Sequence, residues 1–410
     1  MTTPQTETRK TTCCIVGGGP AGMMLGLLLA RSGVDVTVLE KHKDFFRDFR
    51  GDTIHPSTLE LMHELGLLQK LLEIRHSEIA HASICIGDES VTVADFSHLP
   101  TTAKFIALMP QWDFLNFLAT EAARFSNFKL LMECEATGLM EENGITTGVL
   151  ARTPQGPVTI SATLTVGCDG RHAVSRNAAH LPLVDEGVPI DVLWLRLTRR
   201  ASDPENGLGY VNYGHLLVLI NRLEYFQVAF LIAKDGFDQI QQDGLTAFQQ
   251  SIVRVVPFLA DRITEIDSWE KVKLLTVQVN RLTEWSSPGL LCIGDAAHAM
   301  SPVGGIGINI ALQDAVAAAN MLTEALLSNA LTPHHLVQVQ HYRERAVHNT
   351  QRFQVFAHRI LNRVLHSSGP IRMPLTLRIL TTIPGFKSLT GRFIGMGLQP
   401  QHIRTHAKSL

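Results

Sequence analysis

"TTCCIVGGGPAGMMLGLLLARSGVDVTVLEK", residues 11–41, decides the fold. Residues 12–16 are an apolar, strand-forming run, Gly17, Gly18 and Gly19 break it, and residues 20–32 are helix formers behind a proline. Gly33 stops that helix, and residues 34–39 make a second apolar run that ends in Glu40. Strand, glycine turn, helix and strand are half of a doubly wound sheet. Gly17, Gly19 and Gly22 fit G-x-G-x-x-G, in which one glycine makes the tight turn, one lets backbone approach a pyrophosphate, and one permits close helix packing. The helix N-terminus then faces the phosphates with its orphan N–H groups and partial positive charge. Glu40, eighteen residues past Gly22, sits where a carboxylate accepts hydrogen bonds from a ribose diol and repels a 2′-phosphate. A glycine turn without a ligand satisfies the same letters, so strand, helix and acid in register carry the reading. It leaves FAD or NAD.

A second stretch separates the two. In "CIGDAAHAMSPVGGIGINIALQDA", residues 292–315, a buried strand over 290–293 runs into Asp295, Pro302 and the glycines Gly304, Gly305 and Gly307 before an apolar helix begins near Gly307. Ligands of such sheets lie beyond the carboxyl ends of the strands, so Asp295 can accept hydrogen bonds from a polyol. FAD has one, the ribityl chain, and NAD does not. Without side chains at the glycines the backbone can lie flat against a ring system, and the following helix directs its positive end at the ring. A plain Gly/Pro loop is the alternative for this segment taken alone.

Composition narrows the class. A chain of 410 residues with 45% hydrophobic and 18% charged residues buries a large core in two or three packed units. A formal net charge of −2 excludes a general nucleic-acid binder. The six cysteines are scattered, with no C-x-x-C pair, as expected of core residues in a reducing compartment; neither a disulfide framework nor a metal site is implied. The polar first twelve residues do not read as a secretory leader, and a cytoplasmic protein, peripheral at most to the inner face of a membrane, is expected.

Residues 294–309, GDAAHAMSPVGGIGIN, together with the first fingerprint, resemble the FAD-dependent aromatic hydroxylases, the class A flavoprotein monooxygenases of the para-hydroxybenzoate hydroxylase type. A third motif agrees: "LTVGCDGRHAVSR" resembles the strand and D-G-x-x-S-x-x-R of that family, with Asp169, Gly170 and Arg176 in place and Ala173 where serine is usual. The resemblance spans residues 12 to about 330. It implies an α/β, doubly wound FAD-binding fold of the GxGxxG Rossmann type, with an inserted antiparallel-sheet substrate domain and C-terminal helices. The implied FAD unit is 1–80, 111–181 and 283–345, the substrate domain is 81–110 and 182–282, and 346–410 is a basic helical segment. Cofactor contacts carried over are Gly17, Gly19, Pro20, Ala21, Gly22, Glu40, Lys41, Arg50, Gln111, Asp169, Asp295, Pro302, Gly305, Gly307, Ile308 and Asn309.

The implied chemistry is hydroxylation of an aromatic, quinone-like or polyketide substrate. Non-covalent FAD takes a hydride from NADH or NADPH, and O2 then gives a flavin C4a-hydroperoxide. Such a reaction needs an apolar, water-poor cavity and a polar partner for the substrate. Pro302 matches the proline at the reacting edge of the flavin. Runs such as "YGHLLVLINR" and "YFQVAFLIAK" read as strands of a pocket roof. On the roof strands Tyr210, Tyr213, His215 and Tyr225 are candidate partners, with Arg196 for an anionic substrate, although a His or Tyr in a strand pattern is more often a satisfied core or edge residue than a catalyst. His298 has the same standing. A flavin-dependent reductase or oxidase without oxygen insertion is the alternative, as is a non-redox FAD protein of binding or cyclisation.

From residue 345 to 410 there is no Asp or Glu but ten Arg and Lys. "RFQVFAHRILNRVLH" places Phe353, Phe356 and Ile360 on a helical stripe beside Arg352, Arg359 and Arg363. Either the segment packs over the FAD unit or it touches anionic lipid and admits a lipophilic substrate. A monomer or homodimer is expected.

Overall fold

The computed structural model describes residues 7–46, 53–204 and 208–408. The strand predicted over 12–16 is longer, Glu7–Val16, and is central to a parallel sheet. Its neighbours are Val36–Leu39 on one side and Gly156–Gly167 on the other, and Leu290–Cys292 lies beyond the latter, all parallel. Phe128–Leu131 extends the sheet past Val36–Leu39. The register lines up Val16 with Gly167 and Gly167 with Cys292, so the chain leaves three adjacent strands on one level. The three motif turns therefore start side by side.

Helix α1 (Pro20–Arg31) follows the first turn; its body is buried because the sheet covers one side and other helices the rest. Beyond the roof strands described below, α2 is Leu245–Val255. Helix α3 (Gly307–Leu327) follows the third turn. It is long and apolar enough to cross a membrane by composition, but 72% of its most apolar window is buried within the protein, as expected of a core helix. Small residues let α1 and α3 approach: a Cβ on Gly294 would lie 3.2 Å from the Cβ atoms of both Ala21 and Ala311. Helix α4 (Pro333–Leu365) is capped by a Thr332–His335 capping box, and α5 (Leu375–Thr382) and α6 (Phe386–Met396) follow.

The roof is one sheet of seven strands among the described residues, in the order Lys273–Leu275, Ile190–Thr198, Tyr225–Ala233, His215–Asn221, Gly209–Asn212, His81–Ile86, Glu89–Asp95. It departs from the expected antiparallel sheet at one seam, where Gly209–Asn212 runs parallel to His81–Ile86. Alternate side chains face opposite ways. Val192, Trp194, Leu216, Ala229 and Leu231 share a cluster with Val303, Leu361 and Val364; Leu193, Leu195, Leu217, Val228 and Phe230 share another with Phe248 and Ile252 of α2. The first face looks toward the 302–305 loop and α4. The second is closed off by α2.

The basic segment is not helical to its end. Beyond Met396 the chain turns back along the FAD-type unit, where Asn320 donates to the His402 carbonyl, the Arg404 N–H donates to Asn320, and the Lys408 N–H donates to the Arg31 carbonyl.

Candidate functional site

The three glycines of the first turn have three different jobs. Gly17, at φ 107°, would place a Cβ 2.4 Å from the Cys168 carbonyl oxygen, so this turn packs on the second motif and only glycine fits. A Cβ at Gly22 would meet the Gly17 carbonyl at 2.0 Å. At Gly19 a Cβ meets nothing within 4 Å. Gly19 is also the N-cap of α1, with no side-chain cap and no acid in the first turn, so the end of that helix stands ready for an anion. Helix α3 likewise starts without a side-chain cap or an acid.

Glu40 is buried at the tip of its strand. Its Oε2 accepts from the Gly18 N–H at 3.1 Å and its Oε1 from the His42 N–H at 3.0 Å, which fixes the carboxylate against the glycine turn. Asp295 follows the third strand and keeps a side chain 36% exposed, with the Arg171 Nε donating to its Oδ2 at 3.3 Å. The same guanidinium reaches the Met300 carbonyl at 3.4 Å and so spans the second and third turns. Arg171 occupies an unspecified position of its motif and lies 124 residues from Asp295 in the chain, so no local sequence signal marks the pair.

Asp169 caps the helix that follows the second motif turn. Its Oδ1 accepts from the Ser175 Oγ at 2.6 Å and its Oδ2 from the Ser175 N–H at 3.0 Å, capping the short helix Val174–Ala178 where Ala173 cannot. Burial raises the carboxyl pKa of Asp169, against these hydrogen bonds. Arg176 is buried and donates to the Ala296 carbonyl at 3.2 Å, tying the second motif to the third.

The 301–305 loop is held from two sides. On one, the Ser301 N–H donates to Gln354 Oε1 at 3.0 Å, Gln354 Nε2 donates to the carbonyls of Ser301 and Val303, and Ser301 Oγ lies 2.7 Å from His358 Nε2. On the other, Thr53 Oγ1 donates to the Gly305 carbonyl at 3.0 Å. Asn309 joins this second side. Its Oδ1 accepts from the His55 N–H and Thr58 Oγ, and its Nδ2 donates to the Thr53 and Gly305 carbonyls, so its side chain is fully engaged within the protein and only its backbone is left for a ligand. Pro302, Gly305, Gly307 and Ile308 are half-buried at the same crevice. Gln111 is half-buried at the start of Gln111–Ala122, Pro20 and Ala21 open α1, Lys41 is exposed beside Glu40, and Arg50 lies outside the described residues.

The candidate polar partners on the roof divide between its two faces. Tyr210 packs edge-on to Phe258 at 6.1 Å, His215 lies 5.2 Å from the Phe230 ring, and Tyr213 lies under Arg254 of α2 at 4.0 Å. All three belong to the face that α2 closes: strand alternation turns Tyr210 and His215 away from the 302–305 loop, and Tyr213, in the turn between their strands, is placed there by Arg254. Burial pushes the Tyr210 hydroxyl up to about 12 and, with Arg254, lowers His215. On the inner face are instead Arg196 and Tyr225, the guanidinium 5.1 Å from the ring centroid. His298 is elsewhere again: its Nε2 is 2.6 Å from Asp314 Oδ2, Asp314 Oδ1 accepts from Arg343 Nε at 2.9 Å, and the three side chains are at most 1% exposed. Burial opposes ionisation of Asp314, but His298 and Arg343 outweigh it and hold the carboxyl below its ordinary range. This is a structural lock between α3 and α4.

Three glycine-bearing turns on one sheet edge, two uncapped helix ends and an inserted roof define an FAD-dependent hydroxylase architecture, and the open side of Gly19 with the available Asp295 carboxylate fits such a cofactor. Residues 10–354 match the FAD binding domain family. The chain is 30% identical over 98% of its length, and 96% of the relative's, to 6-methylpretetramide 4-monooxygenase of Streptomyces rimosus. It is 26% identical over 74% of its length to dialkyldecalin synthase of Streptomyces rugosporus, of which it spans 63%. The fold is that of the anhydrotetracycline hydroxylase OxyS from Streptomyces rimosus, with TM-score 0.74 at 18% identity, covering 94% of this chain and 76% of that one. The chain belongs to the FAD binding domain family and is a flavoprotein monooxygenase.

Proposed function

We propose that the protein hydroxylates a polycyclic phenol of the polyketide class, bound between the 302–305 loop and the inner face of the roof. The observation that carries the reading is the convergence of three motif turns beneath an apolar sheet face, in a chain near-collinear with a polyketide-type 4-monooxygenase. The α1 N-terminus would hold the FAD pyrophosphate, Glu40 its ribose and Asp295 its ribityl hydroxyls, and the 302–307 backbone with the α3 N-terminus would hold its ring. When bound, FAD supplies hydride acceptance from NADH or NADPH and activation of O2.

The chain's own part is positioning and exclusion. Trp194, Ala229, Leu231 and Leu216 present apolar surface that keeps water from the reacting edge. Gln354 and His358 hold the Ser301–Pro302 backbone still, and Arg196 with Tyr225 offers the polar contact for a phenolate. The 1–80, 111–181 and 283–345 segments form the cofactor unit in this reading, and 81–110 with 182–282 the substrate unit. A second reading, ring closure without redox chemistry, is favoured by the likeness to the decalin synthase. Turnover of a tetracyclic phenol under 18O2 separates them. One labelled oxygen in the product with matching NAD(P)H consumption supports hydroxylation, and an unlabelled isomer formed without reductant supports the second.

A further inference from the structure

Of the 18 large apolar side chains exposed among the described residues, nine fall within residues 353–398. Phe353, Phe356 and Ile360 form a stripe on α4, at 42%, 58% and 48% exposure. The stripe continues onto the neighbouring helices: Phe353 and Phe393 are in ring contact at 4.7 Å, Leu389 (67% exposed) lies one turn before Phe393 on α6, and the short 383–386 turn leads back through Ile383 to Ile379 of α5. Around it stand Arg352, Arg359, Arg363, Arg372 and Arg392, all exposed and without an ion-pair partner among the described residues. Arg378, by contrast, is paired with Glu89.

A solvated surface does not need this much apolar area, and a patch of this kind marks an interface. Its charge selects the occupant. A second copy docking the same face would bring five unpaired arginines against five more, with no carboxylate from residue 345 onward to meet them. A bilayer of anionic lipid provides both an apolar interior and a negative surface, the combination that basic amphipathic helices recognise. We infer that the outer face of α4, α5 and α6 is a docking surface for an anionic lipid bilayer. The surface lies close to the site, because the turns of α4 that expose Phe356 and Ile360 outward direct Gln354 and His358 inward onto the 301–303 loop, one helix diameter (~10 Å) away.

The test is flotation of the full, FAD-loaded chain with vesicles of phosphatidylcholine alone or with a quarter phosphatidylglycerol, at low and high salt. Expected are binding to the anionic vesicles, its loss at 0.5 M salt, and about fivefold weaker binding for each arginine removed, so about 25-fold for R359A/R363A. Phe356→Ser with Ile360→Ser, both at exposed positions, should weaken binding by at least about tenfold while FAD absorbance and the circular dichroism spectrum stay unchanged. Recovery of the folded protein in the lipid-free fraction overturns the inference. So does binding indifferent to lipid charge, or a dimer by light scattering that the same substitutions dissociate.

Discussion

Replacing Gly19 with serine should separate folding from cofactor binding. The backbone there has φ −73° and ψ −176°, ordinary for any L-residue, and the new Cβ meets nothing within 4 Å. Serine is also a better N-cap than glycine and restricts the unfolded chain, so the apoprotein should be unchanged or more stable by up to about 1 kcal/mol. The ligand sees the reverse. The added side chain occupies the open face where a pyrophosphate lies, and its hydroxyl accepts from the same α1 N–H groups that the phosphates need. Overpacking of this order costs about 1–3 kcal/mol, or about five- to 150-fold in FAD affinity. Urea unfolding of the apoprotein reads the first quantity and fluorescence titration with FAD the second. A variant as stable as the parent that binds FAD equally well would refute the placement of the pyrophosphate at α1.

Gly17→Ala should do the opposite, lowering stability of the apoprotein itself, since φ is 107° and the Cβ would sit 2.4 Å from a backbone oxygen; thermal melts of apoprotein check it. Arg343→Met leaves Asp314 buried with one partner fewer and should cost about 3–5 kcal/mol in urea unfolding, part of it regained in the double variant with Asp314→Leu. Tyr210→Phe and His215→Ala should leave kcat/KM within about twofold of the parent, because both side chains lie on the face closed by α2; a loss beyond about tenfold contradicts the assignment of faces. Burial lowers His55 and His358 to about 4. The unfolded chain therefore takes up protons first, so their contribution is nil above about pH 6.5 and stability falls as pH drops from there toward 4. Unfolding midpoints of the parent and of the H55N/H358Q double variant at pH 7.5 and 5 should diverge less in the variant.

The cofactor side of the site was legible because its residues are chosen by necessity. A turn at φ 107°, a helix packed at contact distance on that turn, and an acid at a strand tip admit few other letters, so Gly17, Gly22 and Glu40 stood out in the sequence. The roof was legible as strands but not as faces. "HLLVLIN" is apolar at both parities because α2 buries one side and α4 with the 302–305 loop the other, so no alternation told Tyr210 and His215 apart from the inner face. The parallel seam between His81–Ile86 and Gly209–Asn212 joins segments far apart in the chain and has no local signal. Ala173, where the motif usually has serine, leaves the Val174–Ala178 helix without a side-chain N-cap, and that Asp169 binds the Ser175 N–H and hydroxyl there is visible only in the side-chain geometry.

The stoichiometry of FAD on the purified, folded chain tests the central claim most directly. One flavin per chain, taken up by the apoprotein with quenching of its fluorescence and weakened by Gly19→Ser, is the result the three converging turns require. A folded chain that stays colourless and takes up no flavin at saturating concentration would contradict it.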